Sequence, residues 1–275
     1  MTTTNPDHHA ELTYQAERAL QMGDVHATPD YIIERYRRCR HWRLFPKELM
    51  FKRLHRIGIA GKEVLEFGCG EGTITTQLAR LGGRVTGVDI SPDLIACAER
   101  RAELDGVRDR VRFIVGDVLE TPLPVQTFDI LVCHAALHHA DPRSLEPLFA
   151  ALKPGGLAIL VEPIAFSAAL RRFRDLVPIA ADASPDERQL ASDEVDSITR
   201  RLYDCEVTYF NMVGRLSRLL PNRHRIDRGH PVTKAVLLAL LGLDRILLAV
   251  LPFLSRVCGT IVIVGRKPSP NGSWS

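Results

Sequence analysis

Val64-Leu65-Glu66-Phe67-Gly68-Cys69-Gly70-Glu71-Gly72 is the stretch whose reading decides the fold. It reads as a short buried strand ending at an acid, then a glycine-spaced turn, then a helical pattern from Thr73 to Leu81. Glycine suits such a turn because it adopts positive φ and has no Cβ to hold a ligand away from the backbone. The same residues also read as a tight strand-to-helix turn and nothing more. A dinucleotide-binding turn has the spacing G-x-G-x-x-G and a pyrophosphate on the helix N-terminus. Here Gly72 comes one position early, and Glu66, two residues before the first glycine, repels a phosphate and suits a cation. Further on, Val85-Thr86-Gly87-Val88-Asp89-Ile90 reads as a second strand ending in an acid. That acid follows the glycines at the spacing of a ribose-hydroxyl acceptor, about 20 residues.

The pattern repeats outward. Val111 to Val115 leads into Gly116-Asp117-Val118, and Phe128 to Cys133 is apolar nearly throughout, as a strand buried on both faces requires. His134 follows it, then Leu137-His138-His139. Lys153-Pro154-Gly155-Gly156 turns the chain into a strand from Leu157 to Val161, which ends at Glu162. Helices are expected between them, one opening at Ser91-Pro92 with serine as N-cap and proline at N1, another from Pro142 to Leu152. Alternating strands and helices predict an α/β fold with a doubly wound, mainly parallel sheet and right-handed crossovers. Ligands on such sheets sit beyond the carboxyl ends of the strands. Glu66, Asp89, Asp117, His134 and Glu162 all fall at those ends.

With these motifs in this order, residues 60 to 165 resemble the class I S-adenosylmethionine (SAM)-dependent methyltransferases, in the branch acting on small molecules and quinone-like acceptors. The resemblance implies a Rossmann-like sheet of seven strands with the last antiparallel, and SAM as cofactor. It implies cofactor-binding roles for Glu66, Gly68, Gly70, Asp89, Ile90, Asp117, Val118 and His134, with Asp117 and the Val118 N–H on the adenine edge. A turn stabilised by the Asp117 side chain is the alternative there. Methyl transfer is an in-line displacement needing alignment and often a base. Histidine titrates near neutrality, and the resemblance makes His138 the base with Glu162 as its partner. A structural turn serves equally as a reading of both. No metal is implied. The Asn/Asp-Pro-Pro-Tyr/Phe motif of nucleobase and glutamine methylating branches is absent after the fourth strand, where Cys133-His134-Ala135-Ala136 stands. The expected reaction is methylation of a carbon or oxygen of a hydrophobic small molecule. The alternatives are a cyclase on the same fold that transfers nothing, or a membrane-surface protein with a vestigial site.

The composition is ordinarily globular, at 45% hydrophobic and 25% charged over 275 residues. A net charge of +3 is too mild for a nucleic-acid partner, which calls for concentrated basic stripes. Six scattered cysteines without a C-x-x-C, and no signal-like opening segment, read as reduced thiols in a cytoplasmic protein. Residues 1 to 9, with His8 and His9, read as a frayed terminus.

Three regions follow: an N-terminal helical lid (1–58), a SAM-binding core (59–163), and a C-terminal part of the same domain (164–275). The lid pattern gives helices from Ala10 to Met22, from Pro29 to Arg40 with Thr28 as N-cap, and from Pro46 to Ile57. Its basic run from Arg35 to Arg56 reads as a solvated face or as an anion-attracting rim, and Tyr36, Trp42 and Phe45 as lid aromatics or as core. Beyond Glu162, Ile164 to Leu176, carrying Arg171, Arg172 and Arg174, and Asp186 to Leu202 read as helical. Cys205 to Met212 and Gly259 to Val264 read as the last strands. Between them a helical insertion (about 213–257) holds two apolar runs, 235–243 and 246–254, split by Asp244-Arg245. Neither run reaches the roughly 20 residues of a spanning helix. They read as core, as cover for an oily acceptor pocket, as a homodimer face, or as a peripheral membrane contact.

Overall fold

The computed structural model describes residues 16, 25–166, 189–214, 216 and 231–269. The expectations for residues 1–9 and for a helix over 10–22 lie outside them save residue 16, as does the helix expected over 164–176 apart from its first three residues. Those three continue from the preceding strand, with Ile164 bridged to Leu190.

In chain order the elements are α1 (Asp30–Arg38), α2 (Pro46–Ile57), β1 (Glu63–Phe67), α3 (Thr73–Arg80), β2 (Arg84–Asp89), α4 (Pro92–Leu104), β3 (Val111–Val115) and β4 (Phe128–His134). There follow α5 (Leu145–Ala151), β5 (Leu152–Pro163), α6 (Ser192–Thr199), β6 (Tyr203–Phe210), α7 (Pro231–Val250) and β7 (Thr260–Arg266). The strands form one seven-stranded sheet in the order β3-β2-β1-β4-β5-β7-β6. The pairs through β5 are parallel, and β7 runs antiparallel to both β5 and β6. This is the Rossmann-like arrangement that the motif order implies.

Both faces of the sheet are covered, so its strands are apolar at successive positions. Val64, Ile130, Val132, Ile159 and Val262 point into one core, while Leu65, Leu131, Cys133, Leu160 and Ile263 point into the other. The first core is closed by Met50, Phe51 and Leu54 of α2 with Ile74 and Leu78 of α3; the second by Leu148 and Phe149 of α5 with Val195 and Ile198 of α6. Met50, Phe51 and Leu54 are fully buried. At about 2 kcal/mol each, their burial holds α2 on the sheet with on the order of 6 kcal/mol. That makes this part of the lid a fixed wall.

Four local expectations change. Thr28 does not cap the first helix: it is buried, and its N–H and hydroxyl donate to Asp105 at 2.6 and 2.8 Å, tying the lid to the end of α4. Lys153 to Gly156 lie inside β5 as a bulge, because β5 advances from Leu152 to Leu157 while β4 advances from Phe128 to Ile130. The basic run of the lid is partly neutralised, Arg35 by buried Glu48, Arg37 and Arg38 by Glu34, and Arg53 by Glu206. Finally, the two apolar runs of the insertion join in the single helix α7, followed by a 3-10 segment, Pro252–Val257.

Asp244-Arg245 does not interrupt α7 because both charges turn inward. Buried Asp244 accepts the backbone N–H groups of Met212, Val213 and Gly214 at 3.1, 2.6 and 3.0 Å. Arg245 lies over the Phe210 ring at 4.4 Å and donates to the Tyr209 carbonyl. Leu237 and Leu241 of α7 pack on Leu44 and Phe45 of the lid. Replacing Asp244 with alanine leaves three donors without their acceptor, at about 1–3 kcal/mol for such a buried group. The expected result is a loss of about 3 kcal/mol in urea unfolding, with asparagine recovering part of it.

Candidate active site

The turn after β1 is built by contacts at its glycines. Gly68 has φ +67°, and a Cβ there would fall 2.2 Å from the Ala136 Cβ, so the loop after β4 packs directly on its backbone. Gly70 has φ +51° and open space where its Cβ would be. The N–H groups of Gly68 and Cys69 donate to the Val88 carbonyl at 2.8 and 3.1 Å. Asp89, at the end of β2, accepts the Gly70 N–H at 2.8 Å and the Ser91 N–H at 3.0 Å. It thus binds the turn to the start of α4, where the Ser91 hydroxyl caps Leu94 as the sequence predicts.

Glu66 is buried in β1 and accepts the Thr75 hydroxyl of α3 at 2.5 Å. Burial pushes its pKa up to about 8, against the Thr75 hydrogen bond and the charge of Lys47. Lys47, in the first turn of α2, is half-buried with its Nζ 5.3 Å from the centre of the Tyr36 ring. Burial pulls its pKa down to about 8, opposed by Glu66 and Glu71. His134, at the end of β4, is pulled down to about 4 by burial and then by the Lys47 charge, so it is neutral. Glu66, Lys47 and His134 share one electrostatic neighbourhood.

Glu162 and His138 meet as expected. Glu162 is fully buried; its Oε1 accepts the N–H groups of Ala136 and Leu137, both at 3.0 Å, and its Oε2 lies 2.8 Å from His138 Nδ1. An acceptor at that distance places the proton on Nδ1 and leaves Nε2 as the basic nitrogen. The alternative reading, that Glu162 stabilises a turn, is also met, since two of its partners are backbone. His138 is buried, and the exposed His139 ring lies 4.0 Å from it, centre to centre. Ala135, between His134 and this loop, has φ +56°, an uncommon conformation for a residue with a Cβ, held by its N–H on the Val161 carbonyl.

At the end of β3, Asp117 accepts the Leu119 N–H at 2.9 Å in the turn that was its alternative reading. Val118 is buried in the second core, and half-buried Ile90 follows Asp89. Tyr36 stacks on Phe51 at 4.1 Å as part of the core, whereas Phe45 joins Leu44 against α7. Lys47 and Thr75 were not singled out from the sequence. Lys47 sits within a basic run, and its only distinguishing mark is the N1 proline that fixes it in the first turn of a helix.

A glutamate with a pKa near 8 when folded and 4.5 ordinarily takes up a proton on folding between those values. Its contribution to stability therefore falls as pH rises through that window and levels off above it. Glu66→Gln keeps an acceptor for Thr75 and is expected to remove this fall, so that its melting temperature relative to the parent protein rises between pH 5 and 8.

Residues 64–156 match a family described as a methyltransferase domain. Over 104 residues the chain is 41% identical to the mitochondrial ubiquinone biosynthesis O-methyltransferase of Schizosaccharomyces pombe, covering 37% of this chain and 38% of that one. Over 128 residues it is 35% identical to the ubiquinone biosynthesis O-methyltransferase of Pseudomonas fluorescens, covering 42% and 55%. The match thus spans about half or less of those relatives' length. Among solved structures, geranyl diphosphate C-methyltransferase from Streptomyces coelicolor, crystallised with S-adenosylhomocysteine, superposes with a TM-score of 0.53 at 16% identity, over 81% of this chain and 83% of that one. That likeness is one of fold. The glycine turn and the acidic strand ends lie inside the matched segment or at its edge, so it is this part of the chain that is similar to methyltransferase domains.

Proposed function

We propose that the protein transfers a methyl group from SAM to an oxygen or carbon of a hydrophobic small molecule of quinone-like or isoprenoid character. The observation that carries this reading is the glycine turn at the switch point between β1 and β4, where a Cβ on Gly70 would meet no atom within 4 Å and its N–H donates to Asp89. Glu66, Lys47 and a neutral His134 share one electrostatic neighbourhood beside it. SAM, when bound, supplies an electrophilic methyl on a sulfonium and leaves as S-adenosylhomocysteine. Asp89, oriented by two backbone donors, takes the ribose hydroxyls. Asp117 and the Val118 N–H read the adenine edge, and Ile90 packs beside the base. Gly68 and Gly70 let the backbone approach the nucleoside. Glu66 faces the ammonium of the amino-acid tail and Lys47 its carboxylate, with His134 lining the same end.

His138 takes the acceptor's proton on Nε2 while Glu162 holds the ring and stabilises the cation that forms. Removal of that proton would free an electron pair on the acceptor's oxygen, or on a ring carbon conjugated with it, for attack on the methyl group that SAM would supply. The division into a lid over 1–58, a cofactor core over 59–163 and a C-terminal part from 164 belongs to the same proposal. So does a cytoplasmic setting in which a lipid-dissolved acceptor is met at a membrane surface.

Gly70→Val and Asp89→Ala are each expected to weaken SAM binding, measured by calorimetry, by tenfold or more; unchanged affinity in both overturns the site assignment. His138→Gln keeps a donor for Glu162 but no base. With prenylated catechol and hydroxyquinone acceptors, S-adenosylhomocysteine release is expected to fall by about a hundredfold. SAM affinity is expected to stay within twofold; an unaltered rate removes His138 as the base.

A further inference from the structure

The outward side of α7 is apolar along its length. Val232, Val236, Ala239, Leu243, Ile246 and Val250 recur at alternating steps of four and three, which aligns them on one side of the helix. All six are exposed, Val232 and Ile246 at 62% and Val250 at 70%. Phe253, at 64%, extends the stripe onto the 3-10 segment that follows. A helix of this length is about 30 Å long. It cannot roll to hide the stripe, because its other side is fixed by the Asp244 hydrogen bonds and by Leu237 and Leu241 on the lid. Contiguous exposed apolar surface of this kind marks an interaction site.

The charges around the stripe choose the occupant. From Pro231 to Cys258 the single acid is Asp244, which is buried, and Arg245 is turned inward onto Phe210; the remaining charges are Lys234 and Arg256. A second copy packed on the stripe brings a like-charged rim, without the opposite charges that stabilise paired helices. An anionic surface is complementary to it. No helix among the described residues is long and apolar enough to cross a membrane, which fits a helix lying in the boundary between headgroups and acyl chains.

We propose that the outward face of α7 docks the protein on an anionic lipid bilayer. Docking rests on that face alone; the delivery of a bilayer-dissolved acceptor to the strand ends rests on the methyl-transfer reading.

The test is sedimentation of the full chain with vesicles of phosphatidylcholine, with and without about one-third phosphatidylglycerol, at low and high salt. The protein is expected to partition onto the anionic vesicles at low salt. Ile246→Glu with Val250→Glu should lower the partition coefficient at least tenfold. Lys234→Glu with Arg256→Glu should lower it by roughly fivefold per residue on anionic vesicles only. Both double variants change surface side chains, and unchanged melting and SAM affinity show that they remain folded. Absence of binding, or binding that survives Ile246→Glu with Val250→Glu, overturns the proposal. So does a dimer seen by light scattering that this variant splits, which gives the face to a second copy. Vesicle binding by a protein that fails to bind SAM overturns the functional reading and leaves the docking face standing, and the converse result does the opposite.

Discussion

One buried carboxylate sets the geometry of the strand ends. Glu162 has no exposure to water, and a carboxylate so placed costs several kcal/mol unless donors surround it. It finds three, two backbone N–H groups and the His138 ring, all from the loop after β4. That loop is therefore pinned to the end of β5, with Ala135 held in a left-handed conformation. Pinning carries Ala136 onto the bare backbone of Gly68. The glycine turn in turn donates to Val88 and to Asp89 at the end of β2. The ends of β5, β4, β1 and β2 thus form one connected unit, joined by hydrogen bonds and close packing within the protein itself. Such preorganisation suits the proposed methyl transfer, since catalysis by alignment fails if the walls must move.

Inside that frame the electrostatics are poised. Burial drives Glu66 and Lys47 toward their neutral forms from opposite directions, each reaching about 8, and takes His134 to about 4. The mutual field of Glu66 and Lys47 works against burial, so near neutral pH Lys47 is charged while Glu66 is protonated but readily ionised. A ligand bearing both an ammonium and a carboxylate favours the charged arrangement. The amino-acid tail of the proposed cofactor is such a ligand, and a pyrophosphate is not, in keeping with the repulsion read from the Glu66 position.

The parts of the molecule legible in the sequence are those where local chemistry and burial demand the same residues. The strand from Val64 to Phe67 is apolar because both faces of its sheet are covered, and its acid and glycines stand where the chain turns. The Ser91-Pro92 cap holds for the same reason. Reading failed where a side chain's partner lies far along the chain. Thr28 has the composition of a helix cap, yet Asp105, 77 residues away, takes its donors. Asp244-Arg245 has the composition of a break, yet Met212 to Gly214 and Phe210 turn both charges inward, and the two apolar runs fuse into one helix. Lys47 was hidden among neighbours of its own kind, and only the fold shows that it shares a neighbourhood with Glu66 while Arg35 is neutralised by Glu48.

The N-terminal helices and the insertion, far apart in sequence, pack on one another. Leu44 and Phe45, the two residues before the proline that starts the Lys47 helix, pack on Leu237 and Leu241. One side of α7 is thereby committed to the lid and the other to the surroundings. Because α2 is anchored by fully buried Met50, Phe51 and Leu54, this stack transmits orientation with little give. A surface that engages the outward face of α7 therefore meets the N-terminal helices and the sheet behind them in one orientation. An insertion with an apolar stripe placed elsewhere on the sheet would supply the same affinity for lipid without that geometric consequence. Its position over the lid is what ties the two.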